Sequence, residues 1–205
     1  LIIAALTGAL MTKRIILAGV LGAIAMFIWT AIAHMITPLG EAGIKEIPND
    51  EALLAAMQSS IGAKSGLYMF PGMGLGPDAS HAQRNAAMKE YEAKLEKNPS
   101  GFMIYHPAGS RTMAMPRHLT IEFITELIQA LLVVALLAQT RIATFGGRVG
   151  FVTVAGILAA ITTNLSYWNW WGFPMAYIGP YMFIRIAGFF VVGLVAAFIF
   201  RKSPA

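Results

Sequence analysis

The chain has no cysteine and little charge. The absence of cysteine among its 205 residues excludes disulfides, thiolate metal sites and cysteine nucleophiles. Charged residues make up 12% of the chain, about half of their share in ordinary soluble domains, while hydrophobic residues make up 57%. Also missing are a Gly-rich phosphate loop, a Gly-x-Ser-x-Gly elbow, a His-Glu-x-x-His site and a haem-attachment motif. These absences point away from most enzyme classes.

What the sequence does contain is four long apolar blocks. They cover residues 15–36, 118–138, 150–168 and 181–200. A helix of about 20 residues crosses a hydrocarbon core of about 30 Å, and backbone groups in lipid must be paired within the segment. The first block is longer than the apolar region of a usual signal peptide, so we expect it to span the membrane. The sequence therefore predicts an all-α membrane protein with four transmembrane helices.

The segment between the first two blocks differs in composition and predicts a small α+β insert. It carries eight basic and eight acidic residues. Helical patterns end near Gly62 and run from about Ser80 to Lys97, and each is followed by a β-like run that begins at Gly66 or Gly101. The two β-like runs match in type, so the insert could be a degenerate duplication whose strands pair. The resulting domains are 1–37 (N-terminal segment and helix 1), 38–117 (insert) and 118–205 (helices 2–4 and a short tail).

Basic residues in the short connections predict the orientation. Lys13/Arg14, Arg141/Arg148 and Arg201/Lys202 fall on one side of the four spans. By the positive-inside rule, both termini are cytoplasmic and the insert is extracytoplasmic, in a bacterial-type inner membrane. Since six of the fifteen Lys/Arg serve topology, the net charge of +5 does not require a nucleic-acid partner.

Polar residues form a stripe on the second helix. At 100° per residue, His118, Glu122, Glu126 and Gln129 share one side of that helix. Ionisable groups at membrane depth cost several kcal/mol unless they are paired or hydrated. The other helices bring polar residues to the same outer-leaflet layer. We predict that Arg185 pairs with Glu122 or Glu126. The full predicted network is Glu122, Glu126, Arg185, His34, His118, Asn164 and Gln129.

This layer has two interpretations. It could be a buried ion pair that fixes helix packing. Alternatively, it could line a polar cavity that serves as a proton-carrying site, a quinol or ligand pocket, or a solute entrance. Two glutamates facing one arginine leave a formal charge of −1, so one carboxyl could hold a proton.

Methionine and histidine offer a candidate metal site. Met113, Met115, His106 and His118 combine thioether and imidazole groups, which suit Cu(I) in an oxidising space. The alternative is that the methionines of the insert fill a core. The sequence requires no cofactor.

Two further patterns could serve packing or docking. The aromatic residues Trp168, Trp170, Trp171 and Phe173 form either an interfacial belt or a docking surface for a flat cofactor, a lipid or a subunit. Pairs of small residues allow close helix approach, within the bundle or to another protein. These pairs are Gly19/Ala23, Gly146/Gly150, Gly156/Ala160 and Gly193/Ala197.

The functional expectation is a non-catalytic accessory or assembly subunit of a larger membrane complex, for example a respiratory or photosynthetic one. It would contact the lipid bilayer and other membrane subunits. Two alternatives use the polar layer as a site. One is a small channel, transporter or copper-handling protein, and the other is a small membrane enzyme with His34 or His118 as acid or base.

Overall fold

The computed structural model describes residues 2–111 and 114–201, with side chains from residue 10 onward. In this part of the chain, six α-helices and two strands follow one another in the order α1, α2, β1, α3, β2, α4, α5, α6. The helices are α1 (Ile2–Met35), α2 (Glu51–Ile61), α3 (His81–Lys97), α4 (Met115–Ala138), α5 (Phe145–Trp171) and α6 (Met175–Phe200). The strands are β1 (Gly66–Phe70) and β2 (Gly101–Tyr105), and a short 3-10 helix covers Pro38–Glu41.

Four of these helices are long and apolar enough to cross a membrane. The candidate spans are Leu10–Met35, Met115–Ala138, Phe145–Trp171 and Met175–Phe200. Large apolar side chains such as Leu132, Leu158 and Phe198 point away from the bundle, which suits contact with lipid. The predicted multi-pass membrane protein is thereby confirmed, while its orientation stays a prediction.

Local sequence explains where these helices begin. Thr144 precedes α5, and its hydroxyl accepts a hydrogen bond from the Gly147 amide at 3.1 Å. Pro116 lies in the first turn of α4. Backbone N–H groups in a first turn have no acceptor within the helix, so the missing N–H of proline costs no hydrogen bond there. Helices α4, α5 and α6 therefore start three to six residues before the apolar blocks that predicted them.

The long helices share one apolar core in which α1 occupies a central place. Helix α1 packs against both α4 and α6, and α5 packs against α6, whereas α4 makes few contacts with α5 or α6. The core cluster comprises Ala18, Ala23, Met26, Ala130, Val133, Val134, Leu137, Val152, Phe189, Val192, Ala196 and Phe200.

Small residues let these helices approach closely. A methyl group added at Gly156 would lie 2.5 Å from Phe189 Cβ, and one at Gly193 would lie 3.1 Å from the Val149 carbonyl oxygen. A methyl group added at Gly19 would lie 2.5 Å from Leu131 Cδ2 of α4. Three of the four small-residue pairs are thus used inside the bundle. At Gly146 and Gly150 an added methyl group would meet nothing within 4 Å.

The chain divides into two compact units, Leu1–Ile44 with Ala114–Ala205, and Lys45–Met113. The second unit contains the small sheet that the sequence predicts. Strands β1 and β2 pair antiparallel, with Gly66 opposite Tyr105. Ser80 and Gln83 form a capping box at the start of α3, and Gly62 ends α2 at a φ of 73°. The Tyr105 hydroxyl donates to the Gly62 carbonyl at 3.0 Å and ties β2 to the end of α2.

Candidate polar site within the helix bundle

Glu126 is the polar centre of the bundle. Its side chain is fully buried, with 0% exposure, and it comes from α4. The Thr30 hydroxyl of α1 donates to Glu126 Oε1 at 2.5 Å. Glu126 Oε2 is buried and has no hydrogen-bond partner within the described chain. A buried carboxyl with one unpaired oxygen can accept a proton, or can bind a further hydrogen-bonding group.

The predicted ion pair between Arg185 and a glutamate does not form. Arg185 instead donates to Gln129 Oε1 at 3.3 Å, which links α6 to α4. An ion pair does form within α3, where Lys94 Nζ lies 3.0 Å from Glu90 Oε1. Gln129 lies three residues after Glu126, about one turn along α4, so the two side chains lie on the same side of that helix.

Glu126 nevertheless has charged and ionisable neighbours. Arg185, His34 and Glu122 lie within electrostatic range of its carboxyl. Glu122 and Arg185 are partly buried, and His34 is exposed. The layer therefore brings together one arginine and two carboxyls without a direct ion pair.

The remaining members of the predicted network make local contacts. His34 Nδ1 lies 2.9 Å from the Thr30 carbonyl oxygen within α1. Asn164 donates to the Ala160 carbonyl oxygen at 2.9 Å within α5. His118 is exposed near the start of α4. The predicted network members thus take part in two separate links between helices, Thr30–Glu126 and Arg185–Gln129, instead of one continuous network. Within the described residues, Trp29 Nε1 of α1 also donates to the Ile184 carbonyl oxygen of α6 at 2.9 Å.

Thr30 is the site residue that the sequence pattern missed. A threonine within a membrane helix usually bonds to a carbonyl one turn earlier, as Thr125, Thr153 and Thr162 do here. The one available signal was position, because Thr30 precedes His34 by four residues and so lies on the same face of α1.

The aromatic residues divide into an exposed group and a stacked group. Trp168, Trp170 and Trp171 are 47%, 79% and 45% exposed. Phe173, in contrast, contacts the rings of Tyr167 and Tyr177 at centroid distances of 5.4 and 5.8 Å.

The stacked group continues across the bundle. Tyr177 contacts Tyr181 at 4.8 Å, and Tyr181 contacts His34 of α1 edge-on at 6.0 Å. This chain of rings joins the end of α5 to α6 and α1.

The candidate copper ligands that the structure describes belong to two different units of the chain. Met113 lies outside the described residues. Met115 is 55% exposed and His118 is also exposed, both near the start of α4, and His106 is exposed in the unit Lys45–Met113. Within the described ranges, no group of three or more His, Cys, Asp or Glu residues is placed to hold a metal ion. The copper hypothesis stays untested.

Two open cavities lie away from Glu126. One, of about 510 Å³, is bounded by the loop between α4 and α5 together with the end of α6. The other, of about 480 Å³, lies in the insert beside α2. Neither of these cavities has Glu126 or Arg185 in its lining.

Comparison with known proteins gives no family for this chain. No protein-family model, no curated protein and no solved structure matches it.

Proposed function

We propose that this chain is a non-catalytic accessory or assembly subunit of a larger membrane complex. It would bind partner subunits through its membrane helices and through the insert at residues 38–117. The observation that carries the proposal is the glycine pair of α5, Gly146 and Gly150, which no part of the described bundle covers.

The reasoning starts from what small residues do in lipid. Lipid tails are as apolar as leucine, so membrane helices associate through close packing, for which glycines spaced four apart are suited. In this chain the other three small-residue pairs hold α5 to α6 and α1 to α4. An equivalent pair without an internal partner supports contact with a helix from another molecule.

The face that contains these glycines is continuous and apolar. Val154 and Leu158, one and two turns further along α5, are 63% and 67% exposed. Exposure of apolar residues to lipid is ordinary, so these side chains only extend the surface that the glycine pair defines. We refer to Gly146, Gly150, Val154 and Leu158 as the open face of α5.

The aromatic rim offers a second contact surface for a partner. Trp170, the most exposed of the three tryptophans, follows the open face at the far end of α5. Tryptophan is enriched both at membrane boundaries and in protein interfaces, so the rim suits either environment.

A second candidate function rests on Glu126 Oε2. A buried carboxyl oxygen without a partner favours a small channel, a transporter or an enzyme that loads a proton or a small ligand there. The enclosed position of Glu126 and the location of the two cavities elsewhere support the accessory role instead. Loss of a transport or catalytic activity in Glu126→Gln would favour the second candidate.

Extraction with a mild detergent, followed by sizing and mass spectrometry, tests the accessory role. We expect the wild-type protein to co-purify with larger membrane subunits in a fixed ratio. Gly150→Leu should release it, because a leucine on a close helix contact costs about 1–3 kcal/mol of overpacking. The substitution should leave the chain itself folded, since position 150 meets nothing within the bundle.

The matched control is Leu132→Phe, an enlargement on an exposed part of α4. It should leave the complex intact. A wild-type protein that elutes alone, or only with copies of itself, would contradict the accessory role.

A further inference from the structure

One end of the helix bundle contains an open cavity with a strongly basic wall. The cavity, of about 510 Å³, lies where the loop between α4 and α5 meets the end of α6. Its volume is in the range of small-ligand sites, about 300–1,000 Å³. Three arginines contribute to the lining, Arg141, Arg148 and Arg201.

The three guanidinium groups retain hydrogen-bonding capacity. Arg141 is exposed and makes no hydrogen bond or ion pair within the described chain. Arg148 donates through Nε to the Ile142 carbonyl oxygen at 2.9 Å, which leaves its terminal nitrogens for another acceptor. Arg201 lies over the Phe198 ring at 3.8 Å. Guanidinium groups bind phosphate through paired, charge-assisted hydrogen bonds.

Among the described residues that line the cavity, no acidic side chain offsets this charge. Eight of the chain's ten acidic residues belong to the 38–117 segment. The other two are Glu122 and Glu126, and Glu126 is eleven residues, or about 16 Å of helix, from Leu137 at the cavity wall. The cavity is thus positively charged and suits an anionic ligand.

The same cavity has an apolar wall formed by the ends of three spans. Met11 lies near the start of the α1 span, Leu137 and Ala138 close α4, and Phe200 closes α6. A ligand in this place would touch guanidinium groups on one side and membrane-depth hydrocarbon on the other. Free inorganic phosphate would contact only the guanidinium groups.

We propose that this cavity binds the phosphate group of an anionic phospholipid, with Arg141, Arg148 and Arg201 as its ligands. The apolar ends of α4 and α6 lie alongside the lipid's acyl chains. Basic pockets between membrane helices are suited to anionic headgroups. This site is separate from the open face of α5, so it does not depend on the proposed function.

Native mass spectrometry of the purified full chain tests the site. The protein is mixed with equal amounts of phosphatidylglycerol and phosphatidylcholine, and the bound lipids are counted. We expect preferential retention of phosphatidylglycerol. Each of Arg141→Gln and Arg201→Gln should weaken it about fivefold, the effect of one basic residue near a membrane surface. Arg141 makes no hydrogen bond or ion pair in the described chain, so its substitution should not disturb folding.

Lys13→Gln is the control. Like the arginine substitutions, it removes one positive charge, and Lys13 lies two residues from Met11 of the cavity lining. Because Lys13 itself does not line the cavity, retention of phosphatidylglycerol should hardly change. Equal weakening by Lys13→Gln and Arg141→Gln would overturn the site in favour of diffuse surface charge. Equal retention of both lipids, with arginine-dependent binding of inorganic phosphate alone, would overturn the lipid assignment.

Discussion

At the scale of single residues, the buried carboxyl of Glu126 depends on one hydroxyl group. Thr30 supplies the hydrogen bond that the structure places on Glu126, from a different helix. A buried polar group that loses its partner costs more than the bond itself contributes, because its desolvation is no longer compensated. The contact between α1 and α4 therefore includes a buried polar group that depends on a single hydrogen bond.

Replacing Thr30 with valine should lower stability measurably. Valine matches threonine in shape but cannot donate, so Glu126 would be left without a partner in the described chain. We expect Thr30→Val to reduce the free energy of unfolding by about 1–3 kcal/mol, measured by denaturant titration in detergent micelles.

Thr30→Ser is the conservative control, because it restores the hydroxyl. It should recover most of the stability. If Thr30→Val is as stable as the wild type, the hydrogen bond contributes nothing and the two helices are held by apolar packing alone.

The sequence predicted part of this site. Helical periodicity placed Glu122, Glu126 and Gln129 on one face of α4, and hydropathy placed Arg185 at a comparable depth on another helix. The prediction that Arg185 pairs with a glutamate assumed that opposite charges at the same depth contact each other. In the structure, Arg185 instead donates a hydrogen bond to Gln129. Helical periodicity shows which residues share a face of one helix, but it does not show which helices pack against each other.

At the scale of elements, glycines in one helix have opposite roles. Gly156 of α5 faces Phe189 of α6 so closely that a methyl group would lie 2.5 Å from a side-chain carbon near the backbone. Gly150, six residues earlier, faces open space. The same residue type thus serves internal packing at one position and leaves a free surface at the other.

Alanine substitution should separate these roles. Gly156→Ala should destabilise the protein by about 1–3 kcal/mol through overpacking. Gly150→Ala should change stability by less than about 1 kcal/mol, toward stabilisation, because alanine favours helix more than glycine does. Thermal unfolding in detergent measures both. Equal losses at the two positions would mean that the face around Gly150 is covered within the chain.

The sequence predicted the type of each secondary-structure element more accurately than the residues at which it begins and ends. Gly62 and Ser80 mark helix ends where the structure has them, since a glycine with positive φ and a capping box are local chemistry. Hydropathy placed the start of α5 at residue 150, but the helix begins at Phe145, after the Thr144 cap. The antiparallel register of β1 and β2 depends on long-range pairing, and the sequence left it open.

At the scale of the whole molecule, the distribution of charge predicts the orientation in the membrane. Arg141, Arg148 and Arg201 lie at one end of the spans, and basic short connections stay in the cytoplasm. Because the chain has no cysteine, single introduced thiols report their side without background. We expect Ser100→Cys in the insert to react with a membrane-impermeant maleimide on intact cells, and Ala143→Cys to react only after permeabilisation. The reverse pattern would place the insert in the cytoplasm.

Within the described bundle, the two glycines on the open face of α5 meet none of the other spans. Helix α1 contacts α4 and α6, and α5 is held by α6, so one side of α5 carries glycines without a partner. The accessory role rests on a partner helix lying against that side.

Photo-crosslinking in native membranes tests this directly. A benzophenone-maleimide attached to Val154→Cys, one turn from Gly150 on the open face, should form, on illumination, an adduct with a transmembrane subunit other than this chain. The same reagent on Leu132→Cys, an exposed position of α4, should react with lipid only. If Val154→Cys also yields only lipid adducts, or adducts with a second copy of the chain, the proposed role as a subunit of a larger complex is contradicted.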